Sequence, residues 1–163
     1  AHGPDYRRYE NAITLVHTWI GIPYLYYGCE QDMTGGSDPD NRHALWELGY
    51  NRSAPRYVYI QKLNALRNKI DFSDLDQREL YVTDNAYVYA RGDSVMVALN
   101  NLGQNGNTIT LKVPNSPFAP NQRICNIFWP EDDCFNVNSD GSVNVVLISG
   151  EAKVYVRESD LPK

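Results

Sequence analysis

The side chains best equipped for chemistry crowd into one stretch, Gly21 to Trp46, which reads GIPYLYYGCEQDMTGGSDPDNRHALW. Four carboxylates, Glu30, Asp32, Asp38 and Asp40, stand close together in it, with the guanidinium of Arg42 just beyond. A carboxylate accepts from two hydroxyls at once, and a guanidinium offers its donors in a fixed fork. Paired carboxylates are also the equipment of acid/base and nucleophilic chemistry. One loop, however, cannot readily place a nucleophile and a proton donor on opposite sides of a substrate with the separated pKa values such work needs. The three histidines are scattered and no cysteine spacing suits a metal, so no metal site is assigned. His17 falls inside a helical pattern and reads as a packed or surface histidine rather than a catalyst.

The elements that must position these groups follow from the pattern on either side. Ile22-Pro23-Tyr24-Leu25-Tyr26-Tyr27 is a short apolar and aromatic run ending in Gly28, which predicts a buried strand. Glu30 then stands where the strand emerges. Gln31 to Asn41, rich in Gly, Asp, Asn and Ser, predicts an irregular loop. A strand delivering a polar, Gly-rich loop from its C-terminal end is how parallel α/β barrels build sites. Upstream, Asp5 is placed to cap a helix running to about Ile20, with Tyr9, Ala12, Ile13, Val16, Trp19 and Ile20 on one face. Downstream, Pro55 opens a second helix to about Ile70, with Val58, Leu63, Leu66 and Ile70 among its apolar positions.

After Ile70 the period changes. Leu80–Val82, Ala86–Ala90, Ser94–Asn100, Thr108–Val113, Gln122–Trp129, Cys134–Asn138, Ser142–Ile148 and Ala152–Arg157 are short and β-prone, separated by Gly, Asn, Asp and Pro. Such a run without a helical stretch predicts an antiparallel sandwich. Arg91-Gly92-Asp93 reads as a hairpin turn rather than as a recognition tripeptide. The chain thus divides into a barrel-like segment, 1–72, and a β-domain, 73–163. The β-domain is expected to fold by itself, and the first segment to be loosely held without partners for its strand edge and helix faces.

Composition excludes several classes. A net charge of −5 with no basic cluster longer than Arg7-Arg8 gives no electrostatic support for nucleic-acid binding. No apolar run approaches membrane-spanning length, and no signal segment opens the chain; if the protein is exported, its signal lies upstream or has been removed. Twelve Tyr against four Phe suits either sugar-stacking surfaces or strand propensity. Cysteines number three, so at least one lacks a partner within the chain. Cys125 and Cys134 enclose a short segment that suits a hairpin-like disulfide, with two buried thiols as the alternative; Cys29 reads as a packed thiol. Asn51-Arg52-Ser53 is an N-glycosylation acceptor if the chain is secreted.

The stretch resembles the last barrel strand and following loop of the α-amylase family of glycoside hydrolases. The matching elements are Gly21, Pro23, Tyr27, Gly28, Glu30, Gly35, Gly36, Asp38, Pro39, Asn41, Arg42 and Trp46. His43 stands where fungal-type members often have Glu. The resemblance implies the end of a (β/α)8 barrel followed by an antiparallel Greek-key β-sandwich. It implies a secreted parent acting on α-1,4-glucans by double displacement, with two carboxyl groups about 5 Å apart. Those carboxylates, a third acid and the calcium ligands of the family would all lie upstream of Ala1, so catalytic residues and cofactor are absent from this chain, and the N-terminal remainder of the barrel is an implied partner. Asp38 and Arg42 match the family's pair that contacts glucose units on the non-reducing side of the cleaved bond; pinning their own loop is the alternative. Glu30 is expected to orient the site from the strand end, and Trp46 to pack the loop base. Readings in other classes are a non-catalytic α-glucan-binding or structural module, and the amylase-like part of an α-glucan synthase or transglycosylase.

Overall fold

The computed structural model describes residues 4–162. It opens with α1 (Tyr6–Thr18) and, after a long irregular segment, α2 (Pro55–Lys69). Eight strands follow: β1 (Gln77–Val82), β2 (Ala86–Arg91), β3 (Val95–Asn100), β4 (Ile109–Val113), β5 (Arg123–Asn126), β6 (Cys134–Asn136), β7 (Val143–Leu147) and β8 (Lys153–Arg157). Each lies within or beside a stretch that the alternation and turn residues predict. Among the described residues no helix is long and apolar enough to cross a membrane.

The strands make a six-stranded sheet in the order β1-β2-β3-β8-β5-β6 and a two-stranded sheet of β4 and β7, all paired antiparallel. β8 returns to lie between β3 and β5 rather than beside β7, so the chain crosses between the two sheets of the sandwich. Met96 and Ala98 of β3, Val88 of β2 and Tyr155 of β8 pack with Leu111, Val113, Val143, Val145 and Leu147 of the small sheet. The alternate residues of the same strands, Val95, Val97, Leu99, Tyr89, Val154 and Val156, pack with Ile13 of α1 and Tyr59, Ile60, Leu63 and Leu66 of α2. Central strands covered on both faces have no solvent side, which is why β3 is buried at every position.

The two segments divided at residues 72 and 73 therefore share a core. Arg91 reinforces the joint. It is 1% exposed, and its guanidinium donates to the carbonyls of Thr18 at 2.7 Å, Phe72 at 2.9 Å and Leu75 at 2.8 Å. With its first residue buried in this way, Arg91-Gly92-Asp93 is a β2–β3 turn, and Gly92 supplies a positive φ of 53°.

α1 departs from its predicted face. Its buried residues are Glu10, Asn11, Ile13, Thr14, His17 and Thr18, whereas Ala12, Leu15, Val16 and Ile20 face outward. Hydrogen bonds explain the choice. Asn11 accepts from Asn100 N and donates to Gly150 O, Thr14 pairs with Tyr59 OH and Thr18 with Tyr89 OH. The sheet, the β7–β8 connection and α2 offer polar partners, so the polar stripe turns inward and the apolar one outward.

Candidate functional site

The segment that delivers the site forms no helix or strand over residues 22–26, joins no sheet, and enters a turn at Tyr27. Ile22 is 94% and Tyr24 86% exposed, and only Leu25 packs against the helix–sheet core. A strand requires a neighbour for its N–H and C=O groups, and among the described residues none lies beside it. The predicted buried strand is therefore an unpaired and largely exposed irregular segment here.

Its exit is more ordered. Gly28 takes a φ of +86°, and a Cβ there would meet the Met33 sulfur at 2.0 Å, so any side chain at this turn would be strained. A short 3-10 turn, Cys29–Gln31, follows. Glu30, half-buried within it, accepts from the Gly28 amide at 3.0 Å and borders a groove of about 490 Å³ against α2, beside Leu25, Tyr57 and Gln61. Glu30 thus steadies its own turn. Gln31 exchanges two hydrogen bonds with the backbone of Asn51, at 3.1 and 3.0 Å.

Asp32 turns away from the mouth that its position in the sequence suggests. Its carboxylate lies 3.6 Å from Nε of Arg56 in the first turn of α2, and Arg56 in turn pairs with Glu10 of α1. Burial raises the Asp32 carboxyl above the usual carboxylate range, with the Arg56 charge opposing that shift and the Glu10 carboxylate adding to it. Pattern reading passes over Arg56: a basic residue in the first turn of a helix normally faces water. An arginine next to a helix-opening proline, with an acid in each neighbouring element, is the signal that could have found it.

Beyond Asp32 the loop folds on itself. Gly35 sits so close to Asp40 that a Cβ would lie 2.1 Å from the Asp40 carbonyl oxygen. A cavity of about 120 Å³ beneath it is lined by residues including Tyr26, Tyr27, Met33 and Asn41. Tyr27 OH donates to His43 O at 3.2 Å, closing the loop across its base. Asp38 and Arg42 meet as a fork: Nε lies 3.1 Å from Oδ1 and Nη2 donates to Oδ2 at 3.2 Å, with both side chains more than 60% exposed. The structure joins these two residues, leaves Glu30 at the turn below and directs Asp32 into the protein. Trp46, expected to pack the loop base, is instead 71% exposed, because the short 3-10 helix Leu45–Leu48 that carries it has no buried residue. Among the described residues no group of three or more His, Cys, Asp or Glu is arranged to hold a metal.

Elsewhere, Cys125 and Cys134 face each other across β5 and β6 and are joined by a disulfide with Cα atoms 4.1 Å apart; Cys29 is a free, half-buried thiol. Asn51 is exposed, and its side-chain oxygen accepts from Ser53 N at 2.9 Å.

Comparison with known proteins places this arrangement. The family model "Alpha-amylase, domain C" matches residues 79–163. An α-amylase of Saccharomycopsis fibuligera is 31% identical over 150 residues, covering 90% of this chain and 29% of that protein. The structure of an α-amylase from Malbranchea cinnamomea superposes with a TM-score of 0.88 at 27% identity, covering 96% of this chain and 34% of the other. The crystal structure of an α-amylase from Geobacillus thermoleovorans complexed with acarbose gives a TM-score of 0.72 at 30% identity, covering 94% and 33%. The chain therefore spans only about a third of the length of these relatives. With the family model lying over the whole eight-stranded region but the start of β1, and with the sandwich formed as described, the chain belongs to the α-amylase family and carries its domain C.

Proposed function

We propose that this chain is the C-terminal part of an α-amylase-like retaining glycoside hydrolase acting on α-1,4-glucans, and that it supplies a glucose-binding loop but not the catalytic carboxylates. The observation that carries the reading is the Asp38–Arg42 fork, held on a self-closed loop with both side chains open to solvent. A carboxylate and a guanidinium so paired orient each other and keep lone pairs and N–H groups free for hydroxyls. Glu30 orients the turn beneath. The nucleophile, the acid/base and the calcium ligands belong to parts of the enzyme outside these residues.

The exposed Leu15, Val16, Ile20, Ile22 and Tyr24 support the remaining half of the assignment. Residues 22–27 become a barrel strand, and the outward stripe of α1 becomes buried, once the rest of a (β/α)8 barrel stands against them. The parent is secreted, and Asn51, on the surface with a free amide nitrogen, is its glycan acceptor in this region.

Two measurements test this. Incubated with soluble starch, the 163-residue chain should release no reducing ends; clear turnover would overturn the placement of the carboxylates elsewhere. In the full-length enzyme, Asp38→Ala and Arg42→Ala should each lower kcat/KM on maltooligosaccharides by about 1–3 kcal/mol of lost charged hydrogen bonding. Unchanged kinetics in both would make the pair a loop anchor only.

A further inference from the structure

We propose that Arg56 is a positioning residue for the loop that presents Asp38 and Arg42, acting through Asp32; the inference rests on the glucan-binding reading above. Arg56 is 8% exposed and lies between three elements. Its Nη1 is paired with Oε1 of Glu10 on α1, its Nε faces Oδ1 of Asp32 at 3.6 Å, and its own backbone belongs to the first turn of α2. The ring of Tyr6 lies 5.1 Å and that of Tyr59 6.0 Å from its guanidinium carbon. Arg7 Nη1 completes the set at 3.0 Å from Glu10, so two cations meet two carboxylates and no charge is left over.

The location of Asp32 gives this cluster its consequence. Asp32 closes the Cys29–Gln31 turn in a left-handed conformation, φ 55°, at the point where the loop leaves the helices. Among the described residues, nothing from Met33 to Leu48 makes a hydrogen bond or ion pair with α1 or α2. Asp32 is therefore the last charged tie between the loop and the helices, and the direction in which the loop departs depends on it. Packing alone does not require the charge, since Asn has the same shape without the cost of burying a carboxylate. Buried ion pairs are weak sources of stability, and holding a geometry is the role left to this one.

The test uses maltotriose titration and amide hydrogen exchange on the chain and its variants Asp32→Asn, Arg56→Met, Arg56→Lys and the double variant Asp32→Asn/Arg56→Met. Asp32→Asn keeps the shape and guards against a variant that simply fails to fold. The Kd for maltotriose should rise about tenfold in Asp32→Asn and in Arg56→Met, the size expected for members of one ion-pair network. The double variant should be no weaker than Arg56→Met alone, Arg56→Lys should recover part of the loss, and the amides of Asp32 and Met33 should exchange faster in all four. Additive losses, or unchanged affinity with faster exchange, would overturn the positioning role while leaving the glucose-binding loop standing. If the unmodified chain binds no maltotriose, the glucan reading fails, and exchange alone decides whether Arg56 holds the loop.

Discussion

Arg91 and His17 show how much of this protein rests on single buried polar side chains. Among the described residues no carboxylate meets the Arg91 guanidinium; its partners are the three carbonyls of Thr18, Phe72 and Leu75, and its charge lies over the ring of Phe72 at 5.4 Å. Removing it strands those carbonyls between helix ends and sheet, so Arg91→Met should cost about 2–4 kcal/mol in chemical denaturation; a loss below about 1 kcal/mol, the net value of one ordinary hydrogen bond, would deny it that role. His17 is 2% exposed, with Nδ1 2.9 Å from Ile13 O and its own carbonyl accepting from Arg67. Burial lowers its pKa, against the opposing hydrogen bonds to Ile13 O and to the Asn64 side chain, and the Arg67 charge adds to the lowering. Unfolded histidine takes up a proton near pH 6.5, but folded His17 resists. Its contribution is therefore complete above that pH and is lost as the pH falls from there through its depressed folded value, by at most about 1.4 kcal/mol per pH unit. His17→Gln should show a shallower stability decline than the parent chain between about pH 7 and 5, and identical slopes would remove histidine from the explanation.

At the scale of elements, caps and links do what propensity cannot. Asp5 accepts from the amides of Arg7 and Arg8 at the start of α1 and also from Gln104 N of the β3–β4 connection. It is both a helix cap and a long-range tie. Asp5→Ala should lower stability by about 1–2 kcal/mol, with Asp5→Asn retaining most of it. The cap was legible in the sequence because its geometry is local. The face that α1 buries was not: Tyr9, Ala12, Val16 and Ile20 outrank Asn11, Thr14 and Thr18 in hydrophobicity, and partners distant in sequence, the hydroxyls of Tyr59 and Tyr89 with Asn100 N and Gly150 O, reverse the order. Joining Cys125 to Cys134 closes a loop of sequence separation 9, which in the chain-entropy view contributes about 2–3 kcal/mol. Reduction should lower the thermal midpoint without changing the fold, as far-UV circular dichroism would report.

For the whole molecule, the shared core changes what a cut between the segments would do. Alternation and turn spacing predict a β-domain able to stand alone, yet Val95, Val97, Leu99, Val154 and Val156 are covered by α1 and α2. Residues 77–163 expressed alone should expose that sheet face, bind a hydrophobic dye and self-associate, whereas the full chain should melt in one transition. A monomeric, dye-silent fragment of unchanged stability would instead show an independent domain.

The sequence by itself determined the eight strands, the two helices with the Asp5 cap of one and the Pro55 start of the other, the disulfide-competent hairpin and the motif that names the family, because alternation, capping and turn chemistry act over a few residues. Tertiary structure alone decided that the large sheet is buried on both faces, that Asp32 looks inward to Arg56 while Asp38 and Arg42 look outward, and that α1 turns its polar stripe to the core. Those outcomes depend on partners up to a hundred or more residues away, such as Gly150 for Asn11, and no local pattern encodes which distant donor will meet which acceptor.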